Sequence, residues 1–321
     1  MQRLISTKAQ RRHFSYIGLA LFACFIIMLI LQLLIPALMM RLYPTYTTIP
    51  WLYFAINYLP YYLLAIPYAA ILLRLNTYGT PPKNKLNFGQ LLCYIPISIA
   101  LTYIGNWIGT IINNTITVFS GKTPNNALEG LIGNTDFLTA FIFVVVLAPI
   151  VEELLFRKLL IDAMYPYGER VCIIMSALLF GAFHGNFYQF FYAALVGALL
   201  SFIYCRTGKI RYTILLHAIF NFIGSIISKF IISLVNADAL ANGDITVMLR
   251  DNPLGMLIFF IYSFVMLGLA ALGVVMLIRK LRKTKLAEGA VKLQTPIVTV
   301  ILNVGMILFL ISCIILFIIG M

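Results

Sequence analysis

A chain of 321 residues that is 62% hydrophobic and only 10% charged is not composed like a soluble enzyme. Its apolar runs repeatedly reach the ~20 helical residues that cross a ~30 Å hydrocarbon layer. The formal net charge of +13 would suit a nucleic-acid partner, but the placement of the basic residues excludes that explanation.

The expected spans are 14–40, 50–73, 88–112, 137–156, 171–186, 190–205, 212–235, 254–278 and 296–319. The fold class is therefore all-α: a polytopic transmembrane helical bundle of about nine spans. With the N-terminus in the cytoplasm, Arg3, Lys8, Arg11, Arg12, Arg74, Lys83 and Lys85 fall on that side. So do Arg157, Lys158, Arg170, Arg206, Lys209 and Arg211, followed by Arg279, Lys280, Arg282, Lys283, Lys285 and Lys292. These are 19 of the 23 Lys and Arg residues. Arg41, Lys122 and Arg250 fall outside, and Lys229, within a span, is expected to snorkel toward the outer interface. This is the positive-inside bias; it needs no nucleic acid and brings basic patches to anionic membrane lipids.

The first apolar run is long and lacks a small-residue cleavage site, so it reads as a retained helix. The five cysteines, Cys24, Cys93, Cys172, Cys205 and Cys313, form no CxxC pair, and neither disulfides nor a cysteine metal site is expected. His13, beside Arg11 and Arg12, needs only solvation. Loops near 113–136 and 236–252 face away from the cytoplasm, while 76–85 and 279–292 read as a turn and a solvated linker. The chain reads as a single membrane domain, 1–321, with catalytic core helices at 137–235 and scaffold spans at 1–136 and 236–321.

The spans 171–186 and 190–205 are short and are joined by "GNFYQ" (185–189), which suggests a helical hairpin with its tip in or near the membrane. Ala177, Gly181 and Gly185 recur at four-residue intervals, as do Ala193, Gly197 and Ser201. Small residues at that spacing let membrane helices pack closely.

Ionisable side chains inside membrane spans face a bundle interior or a water-filled cavity and mark functional sites. Here Glu153 and Arg157 are i,i+4 and can pair on one face, with Glu152 about 100° around the helix. His217 and Asn221 are also i,i+4, and His184 lies one turn after Phe180. If Arg157 and Arg211 mark the cytoplasmic interface, Glu152 and His217 lie ~8 and ~9 Å below it. Counting from Arg170 puts His184 at ~21 Å, which does not fit that level.

Peptide hydrolysis needs an activated water, a stabilised oxyanion and a proton for the leaving amine. A desolvated glutamate can take the proton from water and pass it on, with a histidine and a side-chain amide holding the oxyanion. Alternatively, Glu152, His184 and His217 supply three ligands to Zn²⁺ and leave the fourth position for water. The residue types permit both routes, and no HExxH motif is present.

"EELLFR" (152–157), "FGAFH" (180–184) and "HAIFN" (217–221) match EExxxR, FxxxH and HxxxN in order. This resembles the CPBP family, which joins type II CAAX prenyl endopeptidases with the bacterial bacteriocin-processing and self-immunity proteins called Abi. The resemblance covers residues 149–222 and implies a membrane-embedded endopeptidase, metallo- or glutamate-type, with its site toward the cytoplasmic side. It implies Glu152 as the water-activating carboxylate, His184 assisting at the water or binding metal, and His217 with Asn221 at the oxyanion or as ligands. It implies Glu153 and Arg157 as support. The expected substrate is a membrane-associated peptide or protein tail, in a bacterial plasma membrane. A non-enzymatic bacteriocin-immunity protein and a proton-coupled transporter are the alternatives.

Overall fold

The computed structural model describes residues 6–124 and 135–319. Seven helices are long and apolar enough to cross a membrane. They are α1 (Thr7–Leu42), α2 (Pro50–Arg74), α3 (Phe88–Ser120) and α4 (Phe137–Tyr167). After α5 (Glu169–Phe183) come α6 (Phe187–Thr207), α7 (Ile210–Ser233) and α8 (Pro253–Lys283). The last helix is α9 (Val304–Ile319). Helix α5 has 15 residues, and α9 is a shorter apolar helix of 16. Large apolar side chains such as Leu33, Trp107 and Phe264 are about 70% exposed on the outside of the bundle, as expected of surfaces that face lipid rather than water. The chain is a polytopic helical bundle.

Helix ends follow local chemistry. Asp136 caps α4, accepting from Thr139 N at 3.0 Å and from Thr139 Oγ1 at 2.6 Å. Those bonds hold the Asp136 carboxyl below its ordinary range, the hydroxyl contributing most. Asn87 and Gln90 form a reciprocal capping box at the start of α3. The helix α2 is interrupted at Leu64, just before Pro67, which has no N–H to give the Leu63 carbonyl.

Several expected boundaries move. The third span does not end at 112, because α3 continues to Ser120 and stops at Gly121, which has φ +69°. Within the expected loop 113–136, residues 125–134 lie outside the described residues. The loop 236–252 folds into two short helices, Ala237–Asn242 and Ile245–Asp251, each capped by its preceding Asn or Asp. The last span divides into a short helix, Pro296–Val300, and α9.

The expected solvated linker 279–292 is neither all linker nor all solvated. Helix α8 absorbs 279–283, and the segment beyond is tied to the α4–α5 corner. Glu169 Oε2 accepts from Ala287 N at 2.7 Å and pairs with Arg206 at 2.8 Å, and Val291 N donates to Pro166 O at 2.9 Å. His13 is likewise buried rather than solvated. Its Nδ1 lies 2.8 Å from Tyr167 Oη and its Nε2 3.0 Å from Asn76 O, because α1 packs along the end of α4.

The α5–α6 hairpin lies at the centre, with α3 packed along α6, α8 on α3, and α7 across the middle of α4. Leu91, Ile97 and Leu101 of α3 bury against Leu199, Leu200 and Ile203 of α6. Gly181 and Gly197 of the small-residue stripes make the hairpin contact, whereas Gly185 packs on Leu316 of α9. A Cβ on Gly197 would come within 3.0 Å of the Phe180 ring and 3.5 Å of Arg157 Nη2, so this glycine makes room for both. Lys229 donates to Thr135 O at 2.6 Å, at the mouth of α4.

Candidate functional site

The site is built on an irregular stretch of α4. The turn Ala148–Glu153 is flanked by two wide, π-helical segments, Phe141–Leu147 and Leu154–Leu159. Ala148 N–H reaches back five residues to Phe143 O. In the same register the next carbonyl, Val144 O, falls to Pro149, which has no N–H to give. Asn221 of α7 takes its place, donating from Nδ2 to Val144 O at 2.8 Å. The apolar run before the two glutamates is thus clamped to α7 through a carbonyl that its own proline leaves open. Widened turns of this kind recur at functional sites because they re-aim side chains.

Glu153 and Arg157 are both fully buried, with Arg157 Nε 3.1 Å from Glu153 Oε2. Arg157 is the largest fully buried side chain among the described residues. Its guanidinium lies 4.6 Å from the centre of the Phe180 ring and donates to Ser176 Oγ at 3.2 Å. Ser176 in turn donates to Phe156 O at 2.8 Å and accepts from Ser201 at 2.9 Å. Arg157 is therefore held by charge, an aromatic face and a serine pair drawn from α4, α5 and α6.

His217 sits between the two glutamates. Its Nδ1 is 2.9 Å from Glu153 Oε1, and its Nε2 is 3.6 Å from Glu152 Oε2. An ionised Glu153 can only accept, so Nδ1 carries the proton and Nε2 faces Glu152. The side chain of Glu152 is 22% exposed, against 0% for Glu153. Phe180 holds the two histidines apart, its ring centre 4.9 Å from that of His184 and 5.9 Å from that of His217. His184 Nδ1 is bonded to Phe180 O at 2.8 Å, which leaves Nε2 as its outward atom.

The expected motif residues Glu152, Glu153, Arg157, His184, His217 and Asn221 thus meet around one turn of α4. Arg157 is fully buried and so marks no interface by itself. From Tyr167, the end of α4, Glu152 lies 15 residues in, and from Arg170 His184 lies 14 residues in. At 1.5 Å per residue these are ~23 and ~21 Å, so the two sit at one level after all.

Tyr58, Tyr61 and Tyr62 of α2 and Tyr192 of α6 interact electrostatically with the Glu152 carboxylate. The run "YLPYYL" (58–63) carries three of these tyrosines at spacings that place them around a helix end, but nothing in it names a partner.

Glu152 and His217 are close enough to share an ion. Among the described residues, however, no three His, Cys, Asp or Glu side chains form a group able to hold a metal. In this arrangement Glu152, His184 and His217 do not fit a three-ligand zinc centre.

Residues 134–223 match the family model described as Type II CAAX prenyl endopeptidase Rce1-like. The match spans α4 to the middle of α7 and contains all three motifs, in agreement with the resemblance to the CPBP family. Comparison with curated proteins and with solved structures returns no match.

Proposed function

We propose that the chain is a membrane-embedded endopeptidase in which Glu152 activates water to cleave membrane-associated peptides or protein tails. The observation that carries this reading is the unequal setting of the two adjacent carboxylates. Glu153 is committed to Arg157 and to His217 Nδ1, whereas Glu152 is partly exposed and lies 3.6 Å from His217 Nε2. One carboxylate supports the site and the other can meet water.

The chemistry follows from that division. A water lying against Glu152 gives it a proton as its oxygen bonds to the scissile carbonyl carbon, and the carbonyl electron pair moves to oxygen. Protonated His217, its Nδ1–H held by Glu153, donates from Nε2 to that oxyanion. Asn221 keeps a second N–H beyond the one on Val144 O and can face the same atom. Glu152 then passes its proton to the leaving nitrogen as the C–N bond breaks, which restores the carboxylate. The two buried charges, Glu153 and Arg157, neutralise one another and keep His217 oriented throughout. No step is routed through a metal. The membrane is a bacterial plasma membrane in this reading, and the site opens toward the cytoplasmic side, where the basic residues gather.

The test is direct. Purified full-length protein in lipid nanodiscs is incubated with a panel of prenylated C-terminal CAAX peptides and unmodified membrane-anchored peptides, and the products are read by mass spectrometry. Cleavage at a defined bond supports the reading. Intact peptides throughout, from protein that is folded by thermal unfolding, count against it and favour a binding role.

A further inference from the structure

A groove beside the α4–α5 corner has no part in the chemistry proposed for Glu152. It encloses about 670 Å³ between the first turns of α5, the strap 286–293 and the short helix Pro296–Val300. The strap is fixed to the corner by its backbone. Glu169 N donates to Ala287 O at 3.1 Å, and Val291 N to Pro166 O at 2.9 Å. A Cβ on Gly289 would lie 2.3 Å from Tyr167 C and 2.4 Å from Pro166 O, so only glycine lets the strap press this close. One wall of the groove is thus built into the fold.

The lining changes character along its length. Arg170 and Lys292 line it with exposed side chains, and neither enters an ion pair among the described residues. Glu288 lines it too, so two cations stand against one carboxylate and the sum is positive. Beyond the charges the lining is apolar: Val171, Ile174 and Met175 follow Arg170 on α5, and Ile297, Val300 and Ile301 follow Lys292. Ile174, one turn or ~6 Å along α5 from Arg170, is 50% exposed, and Ile297 is 68% exposed.

Exposed apolar walls next to cations describe an occupant that is apolar at one end and anionic at the other. In a membrane, basic pockets beside helices on the cytoplasmic side receive anionic headgroups. Arg170 and Lys292 both belong to the basic set expected on that side. The fork of a guanidinium fits phosphate oxygens in pairs, and a lysine adds a point charge.

We propose that this groove is a binding site for one anionic phospholipid of the adjacent leaflet: Arg170 and Lys292 hold its phosphate, and one acyl chain lies along Ile174, Ile297 and Ile301. The lipid touches both the corner that joins the helix of Glu152 to the helix of His184 and the strap that leads to α9. It therefore fastens the last helix to the core. The assignment requires only that the chain spans a membrane, and it stands apart from the role given to Glu152.

The first test counts bound lipid. Full-length protein is purified in detergent, stripped of lipid, and followed by native mass spectrometry and thermal unfolding on adding phosphatidylglycerol, phosphatidylcholine or sn-glycerol 3-phosphate. The parent retains one phosphatidylglycerol and gains Tm from it. Phosphatidylcholine is held more weakly, and glycerol phosphate, which has no chains, gives no gain. Arg170→Gln and Lys292→Gln each weaken phosphatidylglycerol about 5-fold, and together about 25-fold. Their Tm without lipid stays at the parent value, because both side chains are exposed. Ile297→Trp fills the groove and lowers retention with the charges intact. Equal retention of the two lipids, or unchanged retention in the double variant, overturns the proposal. A gain from glycerol phosphate equal to that from phosphatidylglycerol also overturns it, since it leaves an anion site without a lipid.

The second test needs no variant to fold. Phosphatidylglycerol carrying a diazirine on one acyl chain is irradiated with the parent protein in lipid nanodiscs, and the adducts are mapped by peptide mass spectrometry. Adducts concentrate in 171–175 and 297–301 and are suppressed by excess unlabelled phosphatidylglycerol. Adducts spread evenly over the lipid-facing helices overturn the proposal. So does a dimer that Ile297→Trp dissociates, which would give the groove to a second copy of the chain.

Discussion

The imidazole of His217 links two adjacent glutamates of one helix, its Nδ1 2.9 Å from Glu153 Oε1 and its Nε2 3.6 Å from Glu152 Oε2. Neighbouring residues on a helix point about 100° apart, so a single side chain from α7 can meet both only by standing between them. The geometry separates their tasks. Glu153 is paired with both Arg157 and His217, and Glu152 keeps part of its side chain exposed.

Arg157 is expected to matter for folding more than Glu152 does. Arg157→Ala leaves Glu153 buried without its guanidinium partner, a loss on the order of 3–5 kcal/mol. Arg157→Lys keeps the charge but loses the flat guanidinium over Phe180 and falls between. Thermal unfolding in detergent ranks the variants, and a larger loss for Glu152→Gln than for Arg157→Ala would contradict the division of roles.

Asn221 is expected to act on α4 as well as on chemistry. Asn221→Ala leaves the Val144 carbonyl without its donor, at a cost of about 1–3 kcal/mol. Pro149→Ala supplies the missing N–H, so it should recover stability in the Asn221→Ala background while giving little in the parent. Unfolding midpoints of the four proteins measure this. No recovery would mean that the wide turn does not depend on the clamp.

Much of this arrangement was legible in the sequence. The spacing of Glu153 with Arg157 and of His217 with Asn221 gave the helix faces, and the small-residue stripes marked the hairpin contact. The burial of Arg157 was not legible, for a physical reason: it looks like a residue that ends a span, and only its fit against Phe180, Ser176 and Gly197 reveals a buried one. Once α4 is seen to continue to Tyr167, His184 and Glu152 share a level. His13 shows the same limit, since a histidine beside two arginines carries no sign of the Tyr167 and Asn76 partners that bury it. The tyrosines near Glu152 come from helices distant in sequence, and periodicity cannot pair them.

The orientation in the membrane can be tested from outside. In a cysteine-free background, Asn242→Cys should react with an impermeant thiol reagent in intact cells, whereas Lys83→Cys and Lys285→Cys should react only after permeabilisation. The opposite pattern would invert the topology and place the basic residues outside.

Metal dependence separates the two chemistries that the residue types allow. With glutamate-activated water, a strong chelator should leave turnover nearly unchanged, and purified active protein should contain far less than one equivalent of zinc. Loss of activity on chelation, recovery on adding Zn²⁺ and emptying of the site by His184→Ala or His217→Ala would overturn the metal-free route.

The central claim is that Glu152 is the base, and Glu152→Gln tests it most directly, because the amide keeps the size of the side chain and removes only its ability to take a proton. Turnover of a membrane-anchored peptide by the purified variant should fall by about 10²–10⁴-fold, with its unfolding midpoint close to that of the parent. A correctly folded Glu152→Gln protein that cleaves at the parent rate would contradict the account.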